Sequence, residues 1–204
     1  MTRRLTGRKI TPMSDWNAYY KLEKGRPVRP FYLRAMELCP TPGVAIDLGC
    51  GSGAETVALI EKGWRVLAID AETSSLEAIR SLMPAGSDRL TLRKSRFEDL
   101  TELPDADFVY SFHSLPFCER ASFDRVLALV RSGVVPGGVL AVSLFGPNDA
   151  WVKGGKVSGI SKDAWLNSLI EFEMLHFHEV DDVGPTALEG PKHWHTFETI
   201  ARKK

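Results

Sequence analysis

The sequence is short of several things, and each shortage removes a class of protein. Its 204 residues include three cysteines, Cys39, Cys50 and Cys118, with no Cys-x-x-Cys spacing. Neither a disulfide framework nor a zinc site is expected from them, and a reducing, cytoplasmic setting fits best. No apolar run approaches the roughly 20 residues that span a bilayer. The N-terminus also lacks the apolar segment of a secretory signal, so no membrane partner is expected. Net charge is missing too: 26 basic residues balance 26 acidic ones. With no basic stripe, DNA and RNA are not the expected acceptors. Arg3, Arg4, Arg8 and Lys9 read as a short solvated tail. Internal repeats and low-complexity segments are absent. What remains is an ordinary globular composition, long enough for one domain over 1–204 with a substantial core.

Residues 44–54, Val-Ala-Ile-Asp-Leu-Gly-Cys-Gly-Ser-Gly-Ala, organise the rest. An apolar run broken only by Asp47 ends in three glycines at alternate positions, and helical spacing follows from Glu55 through Val57, Ala58, Leu59 and Ile60. This is the pattern of a buried strand, a tight turn and a helix. Glycines there let a ligand approach the main chain, and the helix start presents unpaired N–H groups. A nucleotide-like ligand is the first expectation.

Taken in order, residues 1–12 read as a tail, and Ser14 or Asp15 as a cap for a helix carrying Trp16, Tyr19 and Tyr20. Residues 31–38 form a second short helix that stops before Pro40. Together residues 1–40 are a tail and a helical lid over a core spanning 41–204, and Trp16, Tyr19 and Tyr20 are candidates to touch a ligand. Further strands are predicted at 64–70, 90–95, 107–110 and 139–145. Helices are predicted at 74–82, broken by Pro84 and Gly86, and at 123–131; a Pro136-Gly137-Gly138 turn leads into the strand at 139–145. Strands alternating with helices at this spacing mean a doubly wound parallel sheet, with ligands at the carboxyl ends of the strands.

The last third differs. A helix over 161–172 precedes two strands, 174–180 and 196–201, joined by a loop over 181–191. Successive strands without a helix between them suit an antiparallel pair. Alternation places His193 and His195 on one face and Trp194 on the other, and the histidines are candidates to contact substrate. No carboxylate or cysteine accompanies them, so no metal site is assigned.

The glycine turn has two readings. Gly49-x-Gly51-x-x-Ala54, with Asp70 21 positions beyond Gly49, satisfies a dinucleotide fingerprint and leads to an NAD-dependent oxidoreductase. Asp47, however, suits a cationic ligand better than a pyrophosphate, Gly53 compacts the turn, and the antiparallel pair is foreign to the usual dinucleotide sheet. Residues 45–53, Ala-Ile-Asp-Leu-Gly-Cys-Gly-Ser-Gly, with Ala68-Ile69-Asp70 and Pro136-Gly-Gly-Val-Leu140, resemble motifs of class I S-adenosylmethionine-dependent methyltransferases. Residues 96–100, 114–118, 144–146 and 192–197 are more loosely similar to small bacterial methyltransferases of the tellurite-resistance type.

The resemblance implies a Rossmann-like α/β sheet of seven strands, mostly parallel with an antiparallel C-terminal strand. It implies S-adenosylmethionine as cofactor and S-adenosylhomocysteine as product. Carried over by position, Gly49, Cys50, Gly51 and Gly53 form the cofactor turn, and Asp47 supports it and favours the ammonium end. Asp70 faces the ribose, Ala71 the adenine, Phe97 and Glu98 the ring edge, and Ser111 and Phe112 the sulfur. Arg96 stands where many relatives have an aspartate, with Glu98 as its substitute. His113 follows the fourth strand, where the methyl group projects, and is the candidate for acceptor contact and catalysis. The expected activity is methyl transfer to a small molecule. A cofactor-binding module without catalysis is the other alternative, and the acceptor atom and oligomeric state stay open.

Overall fold

The computed structural model describes residues 16–39, 41–83 and 87–204. The expected tail, the caps at Ser14 and Asp15, and the stops at Pro40, Pro84 and Gly86 lie outside them. Helices α1 (Trp16–Glu23) and α2 (Pro30–Leu38) precede β1 (Val44–Leu48), α3 (Ala54–Glu61), β2 (Arg65–Asp70), α4 (Thr73–Leu82) and β3 (Leu90–Lys94). Then come β4 (Ala106–Ser111), α5 (Arg120–Ser132), β5 (Val134–Phe145), α6 (Ala150–Lys153), α7 (Lys162–Asn167), β6 (Phe172–Gly184) and β7 (Lys192–Lys203). The strands form one seven-stranded sheet in the order β3-β2-β1-β4-β5-β7-β6. The first five pair in parallel, and β7 lies antiparallel to both β5 and β6. The expected fold class is borne out.

The central strands are apolar on both faces because helices cover both. Along them, alternate residues serve two cores. Ala45, Phe108, Tyr110 and Ala141 pack with Phe31, Tyr32, Leu59 and Ile79 from α2, α3 and α4. Ile46, Val109, Leu140 and Val142 pack with Phe123, Val126, Leu127 and Val130 of α5 and with Trp165 of α7. The α5 spacing of three, one and three residues makes a single apolar stripe, which is why it docks as a helix. The buried indole of Trp165 donates its Nε1–H to Thr199 Oγ1 at 2.8 Å, fixing α7 to β7.

Departures from the sequence reading gather in the last third. The helix expected over 161–172 is α7, only six residues long, and Phe172 opens β6 instead. Phe172 is buried in the sheet's core, which turns the chain back before another helical turn forms. The two final strands run further than their apolar patterns. Their outer ladder pairs Asp181 with His195, Asp182 with Trp194 and Gly184 with Lys192. Exposed edge strands carry charges freely, so alternation there is blurred. β5 also starts before its Pro-Gly-Gly turn, with a register shift opposite Ala106 and Phe108.

Strand order reverses between β1 and β4, so a crevice opens beyond their carboxyl ends. Gly53 belongs to the packing beneath it. Its φ is +86°, and a β-carbon there would collide with Ile79 of α4. Gly53→Ala should therefore combine backbone strain with overpacking, lowering stability by about 2–4 kcal/mol in urea unfolding monitored by circular dichroism.

Candidate functional site

The turn after β1 is made by backbone geometry closed to most residues. Gly49, Gly51 and Gly53 have φ of 74°, 52° and 86°. The Gly49 and Cys50 amides both donate to the Ile69 carbonyl, at 2.8 and 3.2 Å. The Gly51 amide donates to Asp70 Oδ2 at 2.9 Å, and Ser75 Oγ donates to the Gly51 carbonyl at 2.6 Å. A β-carbon on Gly49 would strike Ser114, whereas one on Gly51 would meet the Tyr20 ring at 3.6 Å and enter the cavity. The carbonyl end of β1 is thereby pinned to β2 with its main chain bare to the crevice.

That crevice is a cavity of about 680 Å³. Of the expected cofactor residues, Asp47, Gly49, Cys50, Gly51, Asp70, Ala71, Phe97, Glu98 and Phe112 line it, as do Trp16, Tyr19, Tyr20 and His113. Four expected site residues lie elsewhere. Gly53 backs onto Ile79. Ser111 is wholly buried and donates to the Leu48 carbonyl at 2.9 Å, stapling β4 to β1. His193 pairs with Asp181 at 2.5 Å outside the cavity. His195 is buried against Gly146, accepts the Asn148 amide at 3.0 Å and meets Glu179 at 3.0 Å. Trp194 between them lines the cavity, so alternation held but the useful face was the other one.

Electrostatics divide the cavity. Buried Asp47 accepts from Thr56 Oγ1 at 2.6 Å, and burial pushes its carboxyl up to about 7. Asp70 Oδ1 accepts from the Glu72 amide at 2.9 Å and from the Tyr20 hydroxyl at 3.2 Å. Burial and Asp70 hold that phenol protonated, well above its ordinary range. Glu98 is engaged by Arg96, whose Nε lies 2.6 Å away. A cluster the sequence reading missed closes this end: Arg26 grips Glu55 through Nη1 at 2.8 Å and Nη2 at 2.5 Å, and the Arg29 amide reaches Glu55 at 3.0 Å. These residues sit in a Gly/Pro-rich connector and at a helix start, so only the fold brings them together. Tyr110, also in the wall, is buried with a hydroxyl that finds no hydrogen-bond partner among the described residues. Cys50 is buried beside Ser75, and burial with Asp47 and Asp70 raises its thiol well above the usual range, leaving it unreactive.

The other end is aromatic. His113 has φ +51°, alone among the described non-glycine residues in being positive. Its ring stacks on Phe112 at 4.1 Å and on Trp194 at 5.4 Å. Burial, then the charge of Lys192, depress its pKa to about 3. A general base works best with a pKa near the operating pH. With its pKa lowered, the His113 ring is neutral where the cavity wall holds it between Phe112 and Trp194. Trp151, in the first turn of α6, and Phe117 complete this end. Behind them Lys192 Nζ meets Asp149 at 2.5 Å and lies 3.8 Å and 4.1 Å from the Trp194 and Trp151 ring centres. Among the described residues, no group of three or more His, Cys, Asp or Glu is placed to hold a metal, and no helix is long and apolar enough to cross a membrane.

Residues 45–138, the glycine turn among them, match the family model described as a methyltransferase domain. This bears out the resemblance seen in the glycine turn and supports S-adenosylmethionine as the cofactor class. Among solved structures, the chain is similar to TehB from Haemophilus influenzae, with a TM-score of 0.75 and 15% identity over 93% of this chain and 68% of that one. Among curated proteins, it is 29% identical to trans-aconitate 2-methyltransferase of Rhodococcus jostii over 83% of this chain and 65% of that protein. It is 37% identical to ribosomal RNA small subunit methyltransferase H of Rhizobium meliloti over 83 residues, and spans 24% of that protein's length.

The Lys192–Asp149 pair is buried on both sides. Lys192→Met should lower stability by about 3–5 kcal/mol, because it strands a buried carboxylate. Asp149→Asn in the same chain should restore part of that loss, as read from paired urea unfolding curves.

Proposed function

We propose that this chain is an S-adenosylmethionine-dependent methyltransferase acting on a small molecule. The observation that carries this is one cavity with two unlike ends, bare backbone and carboxylates at the glycine turn, aromatic rings beyond β4, roofed by α1. Its volume of about 680 Å³ lies within the range of roughly 300–1,000 Å³ usual for small-molecule sites. The residues fit the cofactor. Gly51 leaves room where a β-carbon would enter, Asp47 is a buried carboxylate suited to an ammonium, and the Tyr110 hydroxyl awaits a partner.

Bound there, S-adenosylmethionine would supply an electrophilic sulfonium methyl group, whose carbon would bond to an acceptor's lone pair in line as the C–S bond electrons pass to sulfur and leave S-adenosylhomocysteine. The chain's residues contribute position and dryness, the first needs of such a displacement. Asp47 would pair with the ammonium, Asp70 would accept from the ribose hydroxyls, and Ala71, Phe97 and Glu98 would border the adenine. In this structure the Tyr20 hydroxyl donates to Asp70 Oδ1, a bond that a ribose hydroxyl on the same oxygen would have to share or replace. His113 would serve there as a neutral wall, its depressed pKa making the ring a poor taker of an acceptor proton.

A ribosomal RNA acceptor is the second reading, favoured by the local identity with ribosomal RNA small subunit methyltransferase H. The roofed cavity and the balanced charge favour a small molecule over it. Turnover on small-molecule acceptors but not on 16S RNA separates the two.

Calorimetric titration should show micromolar binding of S-adenosylmethionine and S-adenosylhomocysteine and none of NAD; NAD binding alone would overturn the proposal. Asp70→Ala removes a charged acceptor worth about 1.5–3 kcal/mol and should weaken cofactor binding by roughly tenfold or more. Affinity should also follow the Asp47 proton. The unliganded carboxyl keeps its proton below about pH 7, whereas an ammonium partner favours the ionised form. Binding below that pH must release the proton, so affinity should rise by up to about tenfold per pH unit and level off above about pH 7. Asp47→Asn should flatten that profile.

A further inference from the structure

We infer that the acceptor is a planar aromatic or heteroaromatic molecule without positive charge, sandwiched in the ring-lined end of the cavity. The inference rests on the methyltransferase reading and adds the substrate class to it.

The rings form a continuous belt. Trp16 meets Phe117 edge-on at 5.0 Å, Phe117 faces Trp151 at 6.2 Å, and Trp151 meets Trp194 at 5.4 Å. Trp194 then stacks on His113, the two planes only 18° apart. Trp16, Phe117, His113 and Trp194 are all half-buried and all line the cavity. A core would have filled this space with its own side chains at close-packed density. The strained backbone at His113 points the same way: a left-handed histidine is held by its surroundings, and the stacked rings on both sides supply them.

Two observations decide the charge of the occupant. Aromatic faces attract cations, and a belt like this would by itself suit an ammonium. Here that attraction is already satisfied from behind. Lys192 sits 3.8 Å from the Trp194 centre, 4.1 Å from Trp151 and 5.0 Å from Phe145. A second cation in front of the same rings would meet its repulsion, which His113 registers as a depressed pKa. The cavity's carboxylates, Glu23, Asp47, Glu55, Asp70, Glu72 and Glu98, come from α1, β1, α3, β2, the start of α4 and the segment after β3. The carboxylate nearest the belt, Asp149, is fully buried and engaged by Lys192 and by the Trp151 and His195 amides. A neutral ring, or one carrying a phenolate or thiolate, matches this end by stacking and is not repelled.

The test is calorimetric binding to protein saturated with S-adenosylhomocysteine, using 8-hydroxyquinoline as the planar probe, trans-aconitate as an aliphatic carboxylate and ethanolamine as an amine. The planar probe should bind at least roughly tenfold more tightly than either other probe. Trp194→Ala should weaken it by roughly tenfold while leaving S-adenosylhomocysteine binding within about twofold, and Trp194→Phe should recover most of the loss. Should Trp194→Ala fail to fold, Trp16→Ala, on the roof, gives the same reading. Equal or tighter binding of trans-aconitate or ethanolamine would overturn the inference, as would unchanged binding of the planar probe in the folded variants. Loss of S-adenosylhomocysteine binding in the unaltered protein would instead defeat the methyltransferase reading itself.

Discussion

Three backbone amides at the end of β1 hold the site together. Those of Gly49 and Cys50 share the Ile69 carbonyl, and that of Gly51 ends on the Asp70 carboxylate. These bonds fasten the glycine turn to the adjoining strand and fix Asp70 at the same time. Because they need positive φ at alternate residues, the turn stays free of side chains on the cavity side. Everything around it adapts to that bare surface. Ile79 fills the hollow under Gly53, Ser114 covers Gly49, and Tyr20 closes over Gly51.

The second organising feature is the separation of charge from aromatic surface within one cavity. At the turn, carboxylates and arginines are held against one another, with Glu55 gripped by Arg26 and contacted by Arg29. Beyond β4, the one strongly charged pair, Lys192 and Asp149, is sealed behind indole rings. A buried ion pair is weak support for stability as such, since desolvation offsets much of the attraction. Its effect here is directional. It ties the start of β7 to the cap of α6, and so sets Trp151 and Trp194 side by side.

The aromatic end depends on the antiparallel pair. β7 runs against β5, so Thr196 lies opposite Phe145 and the residues before it reach past the end of the parallel sheet. That extension carries Lys192 and Trp194 to the same rim as His113 from β4. His113 and Trp194, 81 positions apart, become neighbours because one strand is reversed.

Much of the fold was legible because local pattern and burial agree in the first two thirds. Apolar strands, helical stripes and Gly/Pro punctuation each follow from covering both faces of a parallel sheet, and Gly49, Gly51, Asp47 and Asp70 stood out because backbone conformation and chemistry restrict those positions so strongly. Where an edge strand faces water, as β6 does, the pattern carries less information, and the lengths of β6 and β7 were lost. Side-chain direction was the other gap. Ser111, His193 and His195 were chosen for their neighbourhood in the chain, but strand register turns each of them away from the cavity and turns Trp194 toward it, while Gly53 backs onto Ile79. The protonation of His113 was beyond sequence altogether, because it arises from burial and from Lys192, a residue 79 positions away. The sequence by itself determined the strand–turn–helix unit and the class of sheet, since those are set by short-range sterics and hydrophobic period. Which rings face one another, which carboxylates are already engaged and where charge is excluded were decided only by the tertiary structure, because they depend on long-range packing and on the loss of water that accompanies it.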